Sequence, residues 1–189
     1  LATNLYGTPR RAALAFGRRP QQLIARLAQL AQEILPPTPA KLWGARDLAG
    51  EALRVGIKRR RSGPVTEIVT RDVRLDRLPA MTCWPEDGGP FLTLPLAYTE
   101  HPDGHGHNLG MYRIQIHDEK TTGIHWQIGK GGGYHYAVAE ARDAALPATI
   151  FLGGPPGLTL AAIAPLPENL PELLLASLIA GERLAMVRG

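Results

Sequence analysis

The chain has 189 residues, 44% hydrophobic and 20% charged, with a formal net charge of +4. That length is room for one domain with a real core, and the charge is too mild for a nucleic-acid tail or a disordered segment. A single cysteine, Cys83, excludes a disulfide framework and fits a reducing, cytoplasmic compartment, and no apolar run reaches the roughly 18 residues of a membrane span.

With 21 Gly and 17 Pro the chain is too rich in breakers for a helical bundle, and a turn-rich α+β protein is expected. It opens on Leu1 with no charged-then-apolar leader, so its start reads as cut. Residues 1–54 read as helical. Thr8 caps a short helix with Pro9 at its first position, and Gly17 ends it. Pro20 opens a second helix with Leu23, Leu27, Leu30 and Ile34 on one face, stopped by the proline cluster at 36–39; residues 45–54 form a short third. Lys58-Arg59-Arg60-Arg61 is the only charge run. A solvated loop is its first reading and a phosphate or nucleic-acid contact its second, but no aromatic residues interleave it as a stacking platform requires.

From 65 to 127 the pattern turns to strands, at 65–69, 91–98, 111–117 and 123–128. In the third, Tyr112, Ile114 and Ile116 alternate with Met111, Arg113, Gln115 and His117; in the fourth, Ile124, Trp126 and Ile128 alternate with His125 and Gln127. A hairpin through residues 118–122 pairs Ile114 with Trp126, Gln115 with His125 and Arg113 with Gln127, so apolar and polar faces each coincide. The polar face then carries Arg113, Gln115, His125 and Gln127 without an acid. Residues 134–189 read as a helix over 134–143, a buried strand over 148–152 and a glycine–proline turn into an Ala/Leu-rich helix. A break at Pro165-Leu166-Pro167 follows, then a helix from 170 to about 185, capped by Asn169 with Glu172 in its first turn.

Nucleotide motifs fail on spacing. Gly123 to Gly129-Lys130 has one residue too many for a Walker loop, and a dinucleotide fingerprint starting at Gly129 needs glycine where Tyr134 stands. The run from Gly129 to Gly133 with Lys130 can still cradle a phosphate on bare backbone N–H groups, against the alternative of a flexible loop. His101, His105 and His107 sit in a turn sequence, which favours a solvent-exposed loop over a metal site. Cys83 beside Trp84 reads as buried packing rather than a nucleophile. Glu172 reads as helix stabilisation unless Asn108 lies near it; such an oxygen-only pair suits a hard cation such as Mg²⁺ or Mn²⁺.

Several blocks resemble a known family. Asn108-Leu109-Gly110-Met111-Tyr112-Arg113-Ile114-Gln115 is similar to the signature of the UbiD-type decarboxylases, related to 3-octaprenyl-4-hydroxybenzoate carboxy-lyase. Thr3-Asn4-Leu5-Tyr6-Gly7-Thr8-Pro9, the turn Cys83-Trp84-Pro85-Glu86-Asp87, the run Gly153-Gly154-Pro155-Pro156, Pro165-Leu166-Pro167 and Glu172 follow the family's pattern in order. The resemblance implies an α+β fold: a helical lead-in over 1–57, then a split β-barrel over 58–189, flavin-reductase-like, binding prenylated FMN through a divalent metal, typically Mn²⁺, with K⁺ nearby. It implies Asn108 and Glu172 as metal ligands. Met111, Tyr112, Arg113, His125, Trp126, Gln127, Lys130 and Gly131 would be cofactor contacts, and Arg113 the catalytic arginine of a Glu-Arg-Glu set. Some members carry a histidine ligand where Gly129 stands, a place His125 could fill, and the two glutamates lie downstream of residue 189. The implied reaction is non-oxidative, reversible decarboxylation of an aromatic or α,β-unsaturated acid. A flavin prenyltransferase would supply the cofactor, and the full-length protein would form a homo-oligomer. The chain then reads as the middle of such an enzyme, or as a flavin-binding module or subunit without decarboxylase activity, with no nucleic-acid partner.

Overall fold

The computed structural model describes residues 3–22, 24–25, 54–127, 129–166 and 170–188. The first helix forms as its signals dictate: α1 spans Pro9–Phe16, the Thr8 hydroxyl accepts from the Arg11 N–H at 3.2 Å, and Gly17 ends it at φ 63°. Residues 19–22 and 24–25 are also helical. The rest of the second expected helix, with Leu23, Leu27, Leu30 and Ile34, lies outside the described residues, as does nearly all of the third.

The described strands make an α+β fold with three sheets, none closed into a barrel. The largest orders β4 (His107–Met111), β3 (Pro95–Glu100) and β7 (Ala148–Leu152), all antiparallel. A second orders β2 (Phe91–Leu92), β5 (Ile114–Ile116) and β6 (Thr122–Ile124). The third pairs β1 (Ile57–Arg60) in parallel with β8 (Leu184–Val187). Three further helices follow β6: α2 (Gly131–Glu140), α3 (Pro156–Ile163) and α4 (Glu172–Ala180).

Several local expectations fail, each for a physical reason. Residues 65–69 are not a strand. Pro64–Thr66 is a 3₁₀ turn, closed by the Gly63 N–H donating to the Thr66 hydroxyl at 3.1 Å and by that hydroxyl donating back to the Gly63 carbonyl at 2.9 Å. Lys58, Arg59 and Arg60 of the basic run are not a loop but most of β1, exposed along its length. The 91–98 stretch is two strands in different sheets, the second opened by Pro95, which has no N–H to give to a ladder. The 148–152 strand forms but is an edge strand, exposed except at half-buried Phe151. Helix α4 stops at Ala180 instead of 185, because Gly181 turns left-handed at φ 74° and donates to the Ser177 carbonyl at 2.7 Å; its expected cap, Asn169, is outside the described residues. Fully buried Ser177 then accepts from Gly56 N–H at 2.7 Å and donates to the Glu182 carbonyl at 2.7 Å, which sets β1 beside β8.

The hairpin forms two residues out of the expected register: Ile114 faces Ile124 and Gln115 faces Gly123. A two-residue slip keeps every side chain on its face, so hydrophobic pattern alone cannot detect it. Turn chemistry decides. The Asp118 carboxylate accepts from the N–H groups of Lys120 and Thr121 at 2.7 and 2.8 Å and from the Thr121 hydroxyl, and His117 N–H donates to the Thr121 carbonyl at 3.1 Å.

The main core joins the large sheet to α3, α4 and β8 through Leu96, Leu109, Ala161, Leu173, Ala176 and Leu184. A smaller one under the second sheet holds Leu92, Ile114 and Ile116. Helix α2 is anchored to β3 by a hydrogen bond between Thr99 Oγ1 and His135 Nδ1 at 2.9 Å. His135 packs edge-on to buried His101, rings 5.1 Å apart. Burial holds the His135 imidazole below the ordinary histidine range, with His101 and His107 adding to the effect.

Two outcomes are expected from this packing. Leu109→Ala costs about 2–5 kcal/mol of stability in chemical denaturation, because the surrounding helices cannot close over the void. His135 is depressed in the folded state, so its contribution is complete above about pH 6.5 and is lost as pH falls through the folded value. Denaturation midpoints measured from about pH 7.5 to about pH 5 therefore fall, and His135→Gln flattens that part of the curve.

Candidate cofactor site

The site begins where the chain changes sheets. The expected single strand over 111–117 is in fact two, β4 in the large sheet and β5 in the second, with Tyr112 and Arg113 in the crossing between them. Alternation survives the break. Tyr112 is buried, while Arg113 is half-buried on the other side. Met111, expected to touch a cofactor, packs its side chain against the main core.

On the Tyr112 side four segments converge. Glu172, in the first turn of α4, accepts a hydrogen bond from the Leu109 N–H at 3.3 Å, across 63 residues of sequence. This places its carboxylate beside the strand residue that follows Asn108. Asn108 is 7% exposed, and its Nδ2 is buried without a hydrogen-bond partner. A Cβ on Gly131 would lie 2.2 Å from Asn108 Oδ1, so only glycine lets the start of α2 come this close. At Gly132 a Cβ would lie 2.6 Å from both the Tyr112 hydroxyl oxygen and the Trp126 ring. Tyr112 and Trp126 meet edge-on at 4.9 Å, and Tyr136 stacks beyond Trp126 at 6.4 Å. Burial pushes the Tyr112 hydroxyl up from its ordinary range; the Asn108 side chain and Gly132 backbone pull the other way, and Glu172 adds to the rise.

The glycine tract is thus not a flexible loop but the first turn of a helix. Lys130 stands at its N-cap position with no side chain capping it, leaving first-turn N–H groups of the kind that bind anions. Lys130, His125 and Gln127 are exposed. Gly129 has φ +81° and open space around it, a backbone that suits glycine where a histidine would be strained. Among the described residues no three His, Cys, Asp or Glu side chains gather as a metal cluster. The donor set is the oxygen pair, Asn108 and Glu172. The oxygens of this pair are of the kind a hard cation takes, while the unpartnered Asn108 Nδ2 donor and the cradle that a Cβ would fill are consistent with an acceptor such as a phosphate there.

On the other side Arg113 makes a bidentate pair with Asp87: Nη1 to Oδ1 at 3.0 Å, and Nη2 to Oδ2. Its guanidinium lies over the Phe91 ring at 3.5 Å and near Trp84 at 5.2 Å. The hydrogen bond with Arg113 holds the Asp87 carboxyl below the usual range, and Asp87 in turn raises the guanidinium. Gln115 donates from Nε2 to the Gly88 carbonyl, so Arg113 and Gln115 do share a side, facing the 87–89 loop. His125 and Gln127 lie beyond the end of β6. The acid missing from the polar face of the hairpin comes from that loop. Asp87 was visible only as part of a motif; the signal that could have singled it out is its spacing from Cys83, whose N–H donates to Asp87 Oδ2 at 3.1 Å. Cys83 itself is exposed, not buried packing. The histidine group is also less open than a loop: His101 is buried, and His107 Nε2 is buried without a partner.

Comparison with known proteins gives the family. Residues 57–189 match the family model described as UbiD, 3-octaprenyl-4-hydroxybenzoate carboxy-lyase Rift-related domain. The chain belongs to the UbiD family. A relative from Chlamydia pneumoniae, named as a subunit of 4-hydroxybenzoate decarboxylase, is 48% identical over 182 residues, 96% of this chain and 31% of the relative. Among solved structures, apo Klebsiella pneumoniae 3,4-dihydroxybenzoic acid decarboxylase (AroY) superposes with a TM-score of 0.71 at 23% identity, covering 96% of this chain and 36% of that one. An evolved dimeric form of the UbiD-class enzyme HmfF from Pelotomaculum thermopropionicum, in complex with prFMN, gives 0.67 at 24% identity, covering 76% and 35%. At those identities the superpositions show the fold alone. The chain spans about a third of the length of the relatives it matches. UbiD-family decarboxylases, which are carboxy-lyases, are thus its homologues.

The close approach at Gly132 is testable by spectroscopy. Gly132→Ala drives a methyl group into Trp126 and Tyr112, so near-ultraviolet circular dichroism and tryptophan emission change, with a loss of about 1–3 kcal/mol in stability. Spectra and midpoints matching the parent protein contradict this packing.

Proposed function

We propose that this chain is the cofactor-binding region of a UbiD-type decarboxylase, acting on an aromatic or α,β-unsaturated carboxylic acid with prenylated FMN and a divalent metal. The observation that carries the proposal is that Glu172, from α4, accepts a hydrogen bond from the N–H of the β4 residue next to Asn108, beside the glycine-lined start of α2. The names of relatives support it: a 4-hydroxybenzoate decarboxylase subunit, a 3,4-dihydroxybenzoic acid decarboxylase and a UbiD-class enzyme in complex with prFMN.

In this proposal Asn108 and Glu172 would hold Mn²⁺ or a similar hard cation, with K⁺ as a second ion, and the cation would supply positive charge toward the flavin phosphate. The first-turn N–H groups of α2 and Lys130 complement the same phosphate, with Gly131 keeping the approach open. Tyr112 and Trp126 offer an aromatic wall. Met111 contributes through its backbone, since its side chain is committed to the core. His125 and Gln127, beyond the end of β6, are exposed contacts. When bound, the cofactor supplies the electron sink that accepts charge as CO₂ leaves. Arg113 orients the substrate carboxylate with a permanently charged planar fork. A carboxylic acid protonates the product carbon, and the resemblance assigns that role to the downstream glutamates of a longer chain.

The proposal extends to organisation. Residues 1–57 form a helical lead-in, and 58–189 contribute to a split barrel. A flavin prenyltransferase supplies the cofactor, the full protein works as a homo-oligomer, and the compartment is the cytoplasm. Among the described residues no helix is long and apolar enough to cross a membrane.

The experiment uses the full-length protein, co-expressed with a flavin prenyltransferase and supplied with Mn²⁺. The expected result is a bound flavin in the visible spectrum and CO₂ release from an aromatic or unsaturated acid. Glu172→Gln keeps an acceptor for the Leu109 N–H but removes the charge, so Mn²⁺ affinity by calorimetry falls on the order of 10-fold or more. Unchanged Mn²⁺ affinity removes Glu172 from the metal site, and bound flavin without CO₂ release supports a flavin-binding module instead.

A further inference from the structure

Arg113 is not free to turn. Five N–H donors lie in the plane of a guanidinium, and here both Nη groups are taken end-on by one carboxylate while Phe91 covers a face. The two partners differ in access: the Asp87 side chain is 4% exposed and that of Arg113 is 35% exposed. Asp87 therefore stands on the protein side of the pair and Arg113 on the open side. The carboxylate is itself aimed, because the Cys83 N–H donates to Oδ2, so the turn preceding β2 fixes its direction independently of Arg113. One end-on pair leaves three donors of Arg113 outside it, the Nε–H and one hydrogen on each Nη; the Cys83 side chain lies against the guanidinium as well, and the donors on the open side can still grip a second carboxylate.

We infer that Asp87 is the positioning residue for Arg113, holding its guanidinium flat on Phe91 so that its remaining N–H donors meet the substrate carboxylate already oriented. This rests on the reading of Arg113 as the group that engages that carboxylate. Asp87 touches neither substrate nor cofactor and acts through Arg113 alone. Because it neutralises part of the arginine's charge, it trades some attraction for an anion against a fixed approach; its effect is on orientation more than on encounter. A freely rotating arginine at this crossing would have to be ordered by each substrate as it bound.

The test compares Asp87→Asn, Asp87→Ala, Asp87→Glu, Arg113→Ala and the Asp87→Ala/Arg113→Ala double variant in the full-length protein. Melting temperature, FMN affinity by flavin fluorescence, benzoate affinity for the FMN-loaded protein, and kcat and KM with the prenylated cofactor are measured for each. Asp87→Ala should lower benzoate affinity about 10-fold and kcat by a similar factor, with FMN affinity within about threefold of the parent protein. The near-isosteric Asp87→Asn gives the same direction and serves if the alanine variant folds poorly; Asp87→Glu recovers part of the loss. The double variant should be no worse than Arg113→Ala, since Asp87 has nothing to position once the arginine is gone. Losses that add in the double variant, or parent-like benzoate affinity and kcat in both Asp87→Ala and Asp87→Asn, overturn the inference while leaving the role of Arg113 intact. Parent-like benzoate binding and turnover in Arg113→Ala overturn that role and this inference with it.

Discussion

A strand can be laddered into a given sheet edge only while its direction holds, and between Met111 and Ile114 this chain leaves one sheet for another. Much of the described architecture follows from that crossing. β4 must end facing the main core, where Met111 joins Leu96 and Leu109; β5 must begin over the second core, where Ile114 joins Leu92 and Ile116. The two residues between belong fully to neither ladder. Tyr112 turns inward beneath the start of α2, and Arg113 turns toward the 87–89 loop. Two chemically different half-sites are therefore built from adjacent residues, and moving one strand would move both.

Each half is held by a contact that reaches far along the chain. Glu172 comes back from α4 to the Leu109 N–H, and Asp87 comes forward from the turn before β2 to Arg113. Both are carboxylates bound to groups whose geometry is fixed, one a backbone amide in a strand and the other a planar guanidinium. The glycines play the complementary part, because Gly131 and Gly132 supply the absence of atoms that allows a helix start to sit on Asn108, Tyr112 and Trp126. Charge, planarity and missing Cβ atoms thus define the site more than any single side chain does.

Much of this was legible in the sequence where the governing interactions are local. Thr8, Pro9 and Gly17 bound α1 correctly because capping is settled within a few residues. Alternation over 111–117 puts Tyr112, Ile114 and Ile116 on a buried side, and the ordered family blocks point to Asn108, Arg113 and Glu172. Local pattern could not see that Tyr112 and Arg113 interrupt the strand, since alternation is the same on both sides of a sheet change. Nor could it distinguish a hairpin register from one two residues away, where every face is unchanged and only the Asp118 turn decides. The exposed aliphatic run at 65–69 looked like a strand until Thr66 closed it on Gly63.

By itself, then, the sequence determined the α+β class, the first helix, the side each residue of the central segment takes, and the family. Those depend on residue types and spacings that act over a turn or a strand. Only the tertiary structure decided that Glu172 reaches the Asn108 segment, that the glycine tract is a helix start pressed on Tyr112 and Trp126, and that Asp87 is the partner of Arg113. Each of these is a contact between elements distant in sequence. Its existence depends on how sheets and helices pack, a matter of summed burial over the whole chain rather than of any residue's own preference.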